Sequence, residues 1–284
     1  MSPRLLSLVA LLLGATLQAG PSYSAASIVN AADNLAGPLA PNTIATIYGS
    51  GLAYGTKSLT PDDIRGGLLP TVLPGTGVRI LVGGVLANLF YVSPLQINFL
   101  VPPNLLPGTS DVQVVIDGLS GPLIPIQLAA TAPALFQLDA QNAVTTRDDW
   151  SAITPDKPVN PGDDVVLYVT GLGQTVPPVQ YCELPSHAAP LKQLADLKVV
   201  LDGIVVDASN ITYAGIAPGF AGLYQVNLKL PASTGSNPEI RIGFGDQLSK
   251  PGLKLPVATV IAAALDDQGD AVRSKLPVGR LTVA

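Results

Sequence analysis

The sequence contains one cysteine, Cys182, and one histidine, His187. A single cysteine closes no internal disulfide, so the fold must be held by core burial. Nucleophilic triads and most zinc sites need a histidine held by a second group. His187 instead sits in "LPSHAAP", a proline-rich stretch that reads as a solvent-facing loop. Neither a G-x-S-x-G elbow nor an H-E-x-x-H helix occurs. Charge is scarce as well, at 12% of residues, with a formal net charge of −5 and no Lys/Arg cluster. That balance argues against nucleic acid and against anionic membrane surfaces as partners. Helical periodicity is nearly missing beyond the first residues, with a weak exception at "AAPLKQLADL" (188–197).

What the chain has is glycine (28), proline (27) and a 48% hydrophobic share. Apolar content on that scale buries a core, and so much turn chemistry points to short strands joined by tight turns. The 284 residues suggest two domains. The N-terminus reads as an export signal over 1–26: Arg4, the apolar run 5–17, then the small residues "SAA" at 24–26. The expected mature start is near Ser27, outside the cytoplasm: secreted, at the cell surface or in the periplasm. The run is short for a bilayer, and no second run of spanning length follows, so no membrane span is expected after signal removal.

Two phrases organise the rest: "QINFLVP" at 96–102 and "QVNLKLP" at 225–231. Around them, "APNTIATIYGSGLA" (40–53) aligns with "NPGDDVVLYVTGLG" (160–173), "VRILVGG" (78–84) with "LKVVLDG" (197–203), and "LSGPLIPIQL" (119–128) with "LSKPGLKLPV" (248–257). The second copy is about ten residues longer, with the excess inside "ITYAGIAPGFAGLY" (211–224). Each copy alternates or runs apolar at strand length, and Gly83-Gly84, Asp117-Gly118, Asp202-Gly203 and Gly245-Asp246 have two-residue hairpin chemistry. The expectation is an all-β chain of two tandem immunoglobulin-like Greek-key sandwiches produced by internal duplication. The repeats are placed at 27–139 and 140–264, the second including a polar linker (137–164) packed loosely over a surface. A tail or added strand follows at 265–284.

"IVNAADNLAGPLAPNTIATIYGSGLA", "GVLANLFYVSPLQINFLVP", "NPGDDVVLYVTGLG" and "YAGIAPGFAGLYQVNLKLP" together resemble the Solibacter-type C-terminal domain. That module recurs in secreted proteins of soil acidobacteria, and the likeness runs over roughly 28–257. Residues 40–53 and 160–173 are more distantly similar to the first strand of TIG-type immunoglobulin-like domains. The resemblance implies an exported β module and assigns no reaction, hence no catalytic residue.

In extended strands Gln96 and Asn98 face away from Ile97 and Phe99, and Gln225 and Asn227 away from Val226 and Leu228. The amides either bind a ligand or tie down a loop; recurrence in both copies favours the structural role, with each asparagine buried and bonded to backbone. The leading expectation is a non-enzymatic module for extracellular protein interaction or adhesion. The alternatives are carbohydrate binding, with Trp150, Tyr91, Tyr213 and Tyr224 as stacking candidates, and a hydrolase with an unrecognised site. No cofactor is expected. Calcium is weighed at Asp62-Asp63, Asp148-Asp149, Asp163-Asp164 and Asp266-Asp267, with "DDQGD" (266–270) the best of them, although none has EF-hand spacing.

Overall fold

The computed structural model describes residues 20–259. The export run at 5–17, the tail at 265–284 and the acidic pair Asp266-Asp267 lie outside the described residues.

Each repeat is a two-sheet β-sandwich. In the first, one sheet runs in the order Ile28–Asn30, Ile44–Tyr48, Gln96–Leu100, Asn88–Val92, Lys57–Ser58. The other runs Ile124–Leu128, Gly108–Ile116, Val78–Val82, Val85–Leu86. In the second, Ala134–Leu135, Asp164–Thr170, Tyr224–Lys229, Ile211–Ile216 and Ala189–Pro190 face Ile204–Val205, Leu197–Leu201, Ile240–Phe244 and Gln247–Leu248. Alternation along the strands puts Ala45, Ile47, Ile97 and Phe99 into one core and Val165, Leu167, Val226 and Leu228 into another. Each core draws on both of its sheets, as face-to-face sandwich packing requires.

The duplication is visible in the register. Ile44–Tyr48 pairs with Gln96–Leu100 as Asp164–Thr170 pairs with Tyr224–Lys229, placing Tyr48 opposite Gln96 and Tyr168 opposite Gln225. On the other side Tyr91 stands opposite Asn98 and Tyr213 opposite Asn227, each just past a register shift. Pro102 and Pro231 stand two residues past the ends of these matching strands, where the missing N–H disrupts no ladder. The hairpins close as their sequences demand: Val82 pairs with Val85, Ile116 with Leu119, Leu201 with Ile204, and Phe244 with Gln247. Asp202 and Gly203 both take positive φ, 48° and 81°, as a type I′ turn needs.

Two expectations change, and a third meets a contact it did not foresee. The linker is not loosely packed: Ala143, Ile153 and Val159 are buried in the second core. Ala134–Leu135 and Thr145–Thr146 both pair with Asp164–Thr170, so the second repeat begins ahead of the 139/140 boundary. The polar composition of the segment hid an apolar residue every few positions. At 188–197 the chain forms only a three-residue 3₁₀ turn, Leu194–Asp196, after the short strand Ala189–Pro190. Finally, Tyr23 belongs to the first core and its hydroxyl donates to the Pro122 carbonyl (2.6 Å) and accepts from the Val114 N–H (2.8 Å). A cut before Ser27 would discard that residue, together with the pairing of Ser22 to Ser50.

Candidate functional site

The amide phrase builds the same device twice. Gln96 Nε2 donates to Asn98 Oδ1 at 2.8 Å, and Gln225 Nε2 donates to Asn227 Oδ1 at 2.8 Å. Side chains two apart on a strand share a face, which is why Gln-x-Asn closes this bond. All four amides are half-buried, and the asparagines bond to side chains, not to backbone as expected. The copies differ at one neighbour. Thr46, opposite Asn98, donates a second hydrogen bond to its Oδ1 (3.2 Å), whereas Val166 stands opposite Asn227.

The aromatic candidates do not assemble into one platform. Tyr224 is fully buried, correcting its reading as a stacking residue; its place in the alternation, in phase with Val226 and Leu228, points it inward. Tyr91 and Tyr213 are half-buried on separate sheets, and the Tyr213 hydroxyl is spent on the Ile216 carbonyl (2.8 Å). Trp150 is exposed at a turn with φ of 67°.

Tyr224 instead joins the repeats. Its hydroxyl accepts from Asn42 Nδ2 of the first repeat (3.1 Å) and donates to the Gly173 carbonyl of the second. Burial raises the phenol to about 12, opposed by the hydrogen bond from Asn42. Beside it, Ile44 N–H donates to Thr170 Oγ1 (3.0 Å), and that hydroxyl donates to the Gly222 carbonyl (2.8 Å). A further crossing links Leu69 N–H to the Cys182 carbonyl and Leu184 N–H to the Gly67 carbonyl, both at 2.8 Å. Leu69, Leu100 and Ala221 form a small apolar cluster between the two main cores.

This junction depends on a departure from the repeat. Where the first copy turns over 94–95, the second runs through 216–224 before rejoining its sheet. The longer loop reaches the outer face of the first repeat's five-stranded sheet, where Gly222 lies so close that a Cβ would fall 2.5 Å from Leu100 and 2.7 Å from Ile44. Its φ of 77° also needs glycine.

Between this loop and that sheet lies a cleft of about 480 Å³. Ile44, Leu59, Ile64, Leu69 and Phe90 line it from the first repeat, with the amide of Asn98. Phe136, Leu184, Phe220 and Leu223 line it from the second. No charged side chain contributes to the wall. Asn98 is thus the one sequence-predicted residue that the cleft takes in; Gln96 acts behind it, and Asn227 has no such cleft over it among the described pockets. The sequence carried a signal for this site, the extra length in 211–224, but nothing in it says where that loop lands.

Nothing else described draws reactive groups together. His187 is exposed and contacts Ser186 Oγ (2.8 Å). Asp63, whose carboxylate is held below the usual range chiefly by Thr60, accepts from Thr60 N–H and hydroxyl and pairs with Lys57 (3.3 Å). Asp163 accepts from the Asn160 N–H (2.8 Å), an ordinary turn. Among the described residues no three His, Cys, Asp or Glu side chains gather as a metal site would require, and no helix is long and apolar enough to cross a membrane.

No family model and no curated protein matches the chain. Among solved structures, the chain is similar to the Bacteroides ovatus mixed-linkage glucan utilization locus protein SGBP-B in complex with a mixed-linkage heptasaccharide. The identity is 11%, covering 78% of this chain and 43% of that one, with a TM-score of 0.32. The surface glycan-binding protein PbSGBP-B of Prevotella bryantii follows at 12% identity, 82% and 41% coverage and a TM-score of 0.26. The tandem Ig repeats of Dlar give 11%, 78% and 93%, with a TM-score of 0.21. The chain spans less than half the length of the first two. Likenesses this faint bear on neither ligand nor role.

Proposed function

We propose that the chain is an exported, non-enzymatic interaction module whose recognition site is the cleft between its repeats. The observation that carries this reading is the construction of the cleft. Both repeats contribute walls, the lining is apolar and uncharged, and one oriented amide is set into it. An apolar pocket with a few placed polar groups is what a binding site offers, and the hydroxyl in the lining, that of Thr60, is already committed to the Asp63 carboxylate (2.7 Å). The Tyr224 and Thr170 contacts hold the walls in register, so recognition needs no large rearrangement of the repeats. A carbohydrate platform has less support, since Trp150, Tyr91 and Tyr213 are dispersed and Tyr224 is buried.

The test compares immobilised wild type with Phe220→Asp, exposing both to the extracellular fraction of the source organism. Phe220 is 55% exposed, so the charge enters the cleft rim without disturbing a core. A partner retained by wild type and lost by the variant, at equal melting midpoints, is the expected result. Equal retention by both would move the recognition site elsewhere.

A further inference from the structure

We propose that the occupant of the cleft is an uncharged, apolar peptide segment in extended conformation, anchored by a backbone carbonyl on the Nδ2 of Asn98. This rests on the reading of the cleft as the recognition site. Three features of the wall select that chemistry.

The first is the orientation of the amide. Asn98 Oδ1 accepts from Gln96 Nε2 (2.8 Å) and from Thr46 Oγ1 (3.2 Å), which fixes the rotamer and turns the amide into a donor. Among the described residues Nδ2 donates to no acceptor, and the residue lines the cleft and is only half-buried. A ligand seated here must therefore bring an acceptor, and a peptide brings one at every residue. The second repeat supplies an internal comparison. Asn227 has the same glutamine bond but Val166 in place of the second donor, and no described cleft stands over it.

The second is charge. Without a charged residue in the lining, an ionic group inside would be desolvated with no counter-charge, so the segment must be neutral where it enters. The third is shape. At about 480 Å³ the cleft lies within the usual range for recognition pockets, but it opens to solvent. Phe220 is 55% exposed at its rim, and Ile64 and Phe90 of the wall are only half-buried. A small molecule would fill the floor and leave these side chains wet. A peptide running across the mouth covers them and places one or two large side chains beneath.

The experiment is selection of a phage-displayed random heptapeptide library on the wild-type protein, with Phe220→Asp protein as the counter-selecting surface. Synthetic consensus peptides are then titrated by fluorescence polarisation. The expected sequences have large apolar residues and no Asp, Glu, Lys or Arg at their central positions. Asn98→Leu should weaken their binding about tenfold, the equivalent of one lost hydrogen bond of about 1.4 kcal/mol. Phe220→Asp should abolish binding, and Asn227→Leu, at the matching position without a cleft, should leave it unchanged. Thr46→Val, which removes one of the two bonds that orient the amide and leaves the amide in place, should weaken binding less than Asn98→Leu; should Asn98→Leu fail to fold, Thr46→Val and Phe220→Asp decide the matter. Charged consensus sequences, or equal binding to Asn98→Leu and wild type, overturn the proposal. So does saturable binding of the neutral ketone dye prodan with no peptide enriched, which would assign the cleft to small molecules. A Phe220-dependent partner without any enriched neutral peptide refutes this inference alone; absence of both refutes the interaction reading as well.

Discussion

Replacing Tyr224 by Phe removes one oxygen and no carbon from the interior, and so separates hydrogen bonding from packing. In the wild type that oxygen accepts from Asn42 Nδ2 across the junction and donates to the Gly173 carbonyl, and the side chain is fully buried. The variant strands both partners. Asn42 Oδ1 already has no hydrogen-bond partner, so its whole buried amide would be left unpaired. A buried polar group without a partner costs about 1–3 kcal/mol, so two of them, with some relaxation, should cost about 2–4 kcal/mol. For a chain of this size that corresponds to a fall in melting midpoint of roughly 5–15 °C. Scanning calorimetry on wild type, Tyr224→Phe, Asn42→Ala and the double variant measures it. Because the two residues share one bond, the double variant should lose less than the sum of the singles, by about 0.5–3 kcal/mol. The phenol adds a pH signature. Its folded value of about 12 lies above the ordinary 10.0, so its contribution is full below pH 10 and is lost as pH rises from 10 to 12. The gap between wild type and Tyr224→Phe should therefore narrow over that window. An unchanged midpoint in Tyr224→Phe at neutral pH would refute the claim that this hydroxyl ties the repeats together.

Gly222→Ala should destabilise by about 1–3 kcal/mol, because its positive φ is strained for alanine and its Cβ would drive into Leu100 and Ile44; loss of partner retention should accompany the lower midpoint. Ile97→Ala should cost about 2–5 kcal/mol through the cavity it leaves, while Asn98→Ala next to it should cost less than about 1 kcal/mol, since water reaches the half-buried partner left behind; urea unfolding of the pair checks the contrast. N-terminal sequencing of exported protein should return a start at or before Pro21, because Tyr23 fills the first core and bonds Val114 and Pro122; a start at Ser27 would show those contacts to be dispensable. Asp63 should contribute stability above its ordinary value of 3.8 that is lost as pH falls through its lower folded value, so Asp63→Asn should flatten the acid limb of the stability profile.

Period-two alternation and glycine-bearing turns are local properties, and they carried the architecture. The inward set Ile97, Phe99, Val226 and Leu228, the four two-residue hairpins and the matching of 96–100 to 225–229 were all readable in the chain, because strand faces and positive φ depend on a residue and its immediate neighbours. The burial of Tyr224 was readable too, from its phase with Val226, but an aromatic residue invited a ligand role that the alternation did not support. The linker failed for a related reason. Its apolar residues are sparse, and only a sheet already formed by Asp164–Thr170 gives Ala143 and Ile153 a place to be buried.

The sequence by itself determined two sandwiches, their common register and the placing of a Gln-x-Asn pair on the outer face of each, but not that glutamine would bond asparagine there. Only the tertiary structure decided that the two outer faces differ. Docking of the 217–223 loop over Ile44 and Leu100 covers one amide face and turns Asn98 into part of a cleft, while Asn227, built from the same phrase, lines none of the described clefts. The physical reason is that a strand's own pattern specifies which side chains leave the core, but what those side chains then meet depends on contacts between residues more than a hundred positions apart, such as Asn42 with Tyr224 and Ile44 with Thr170.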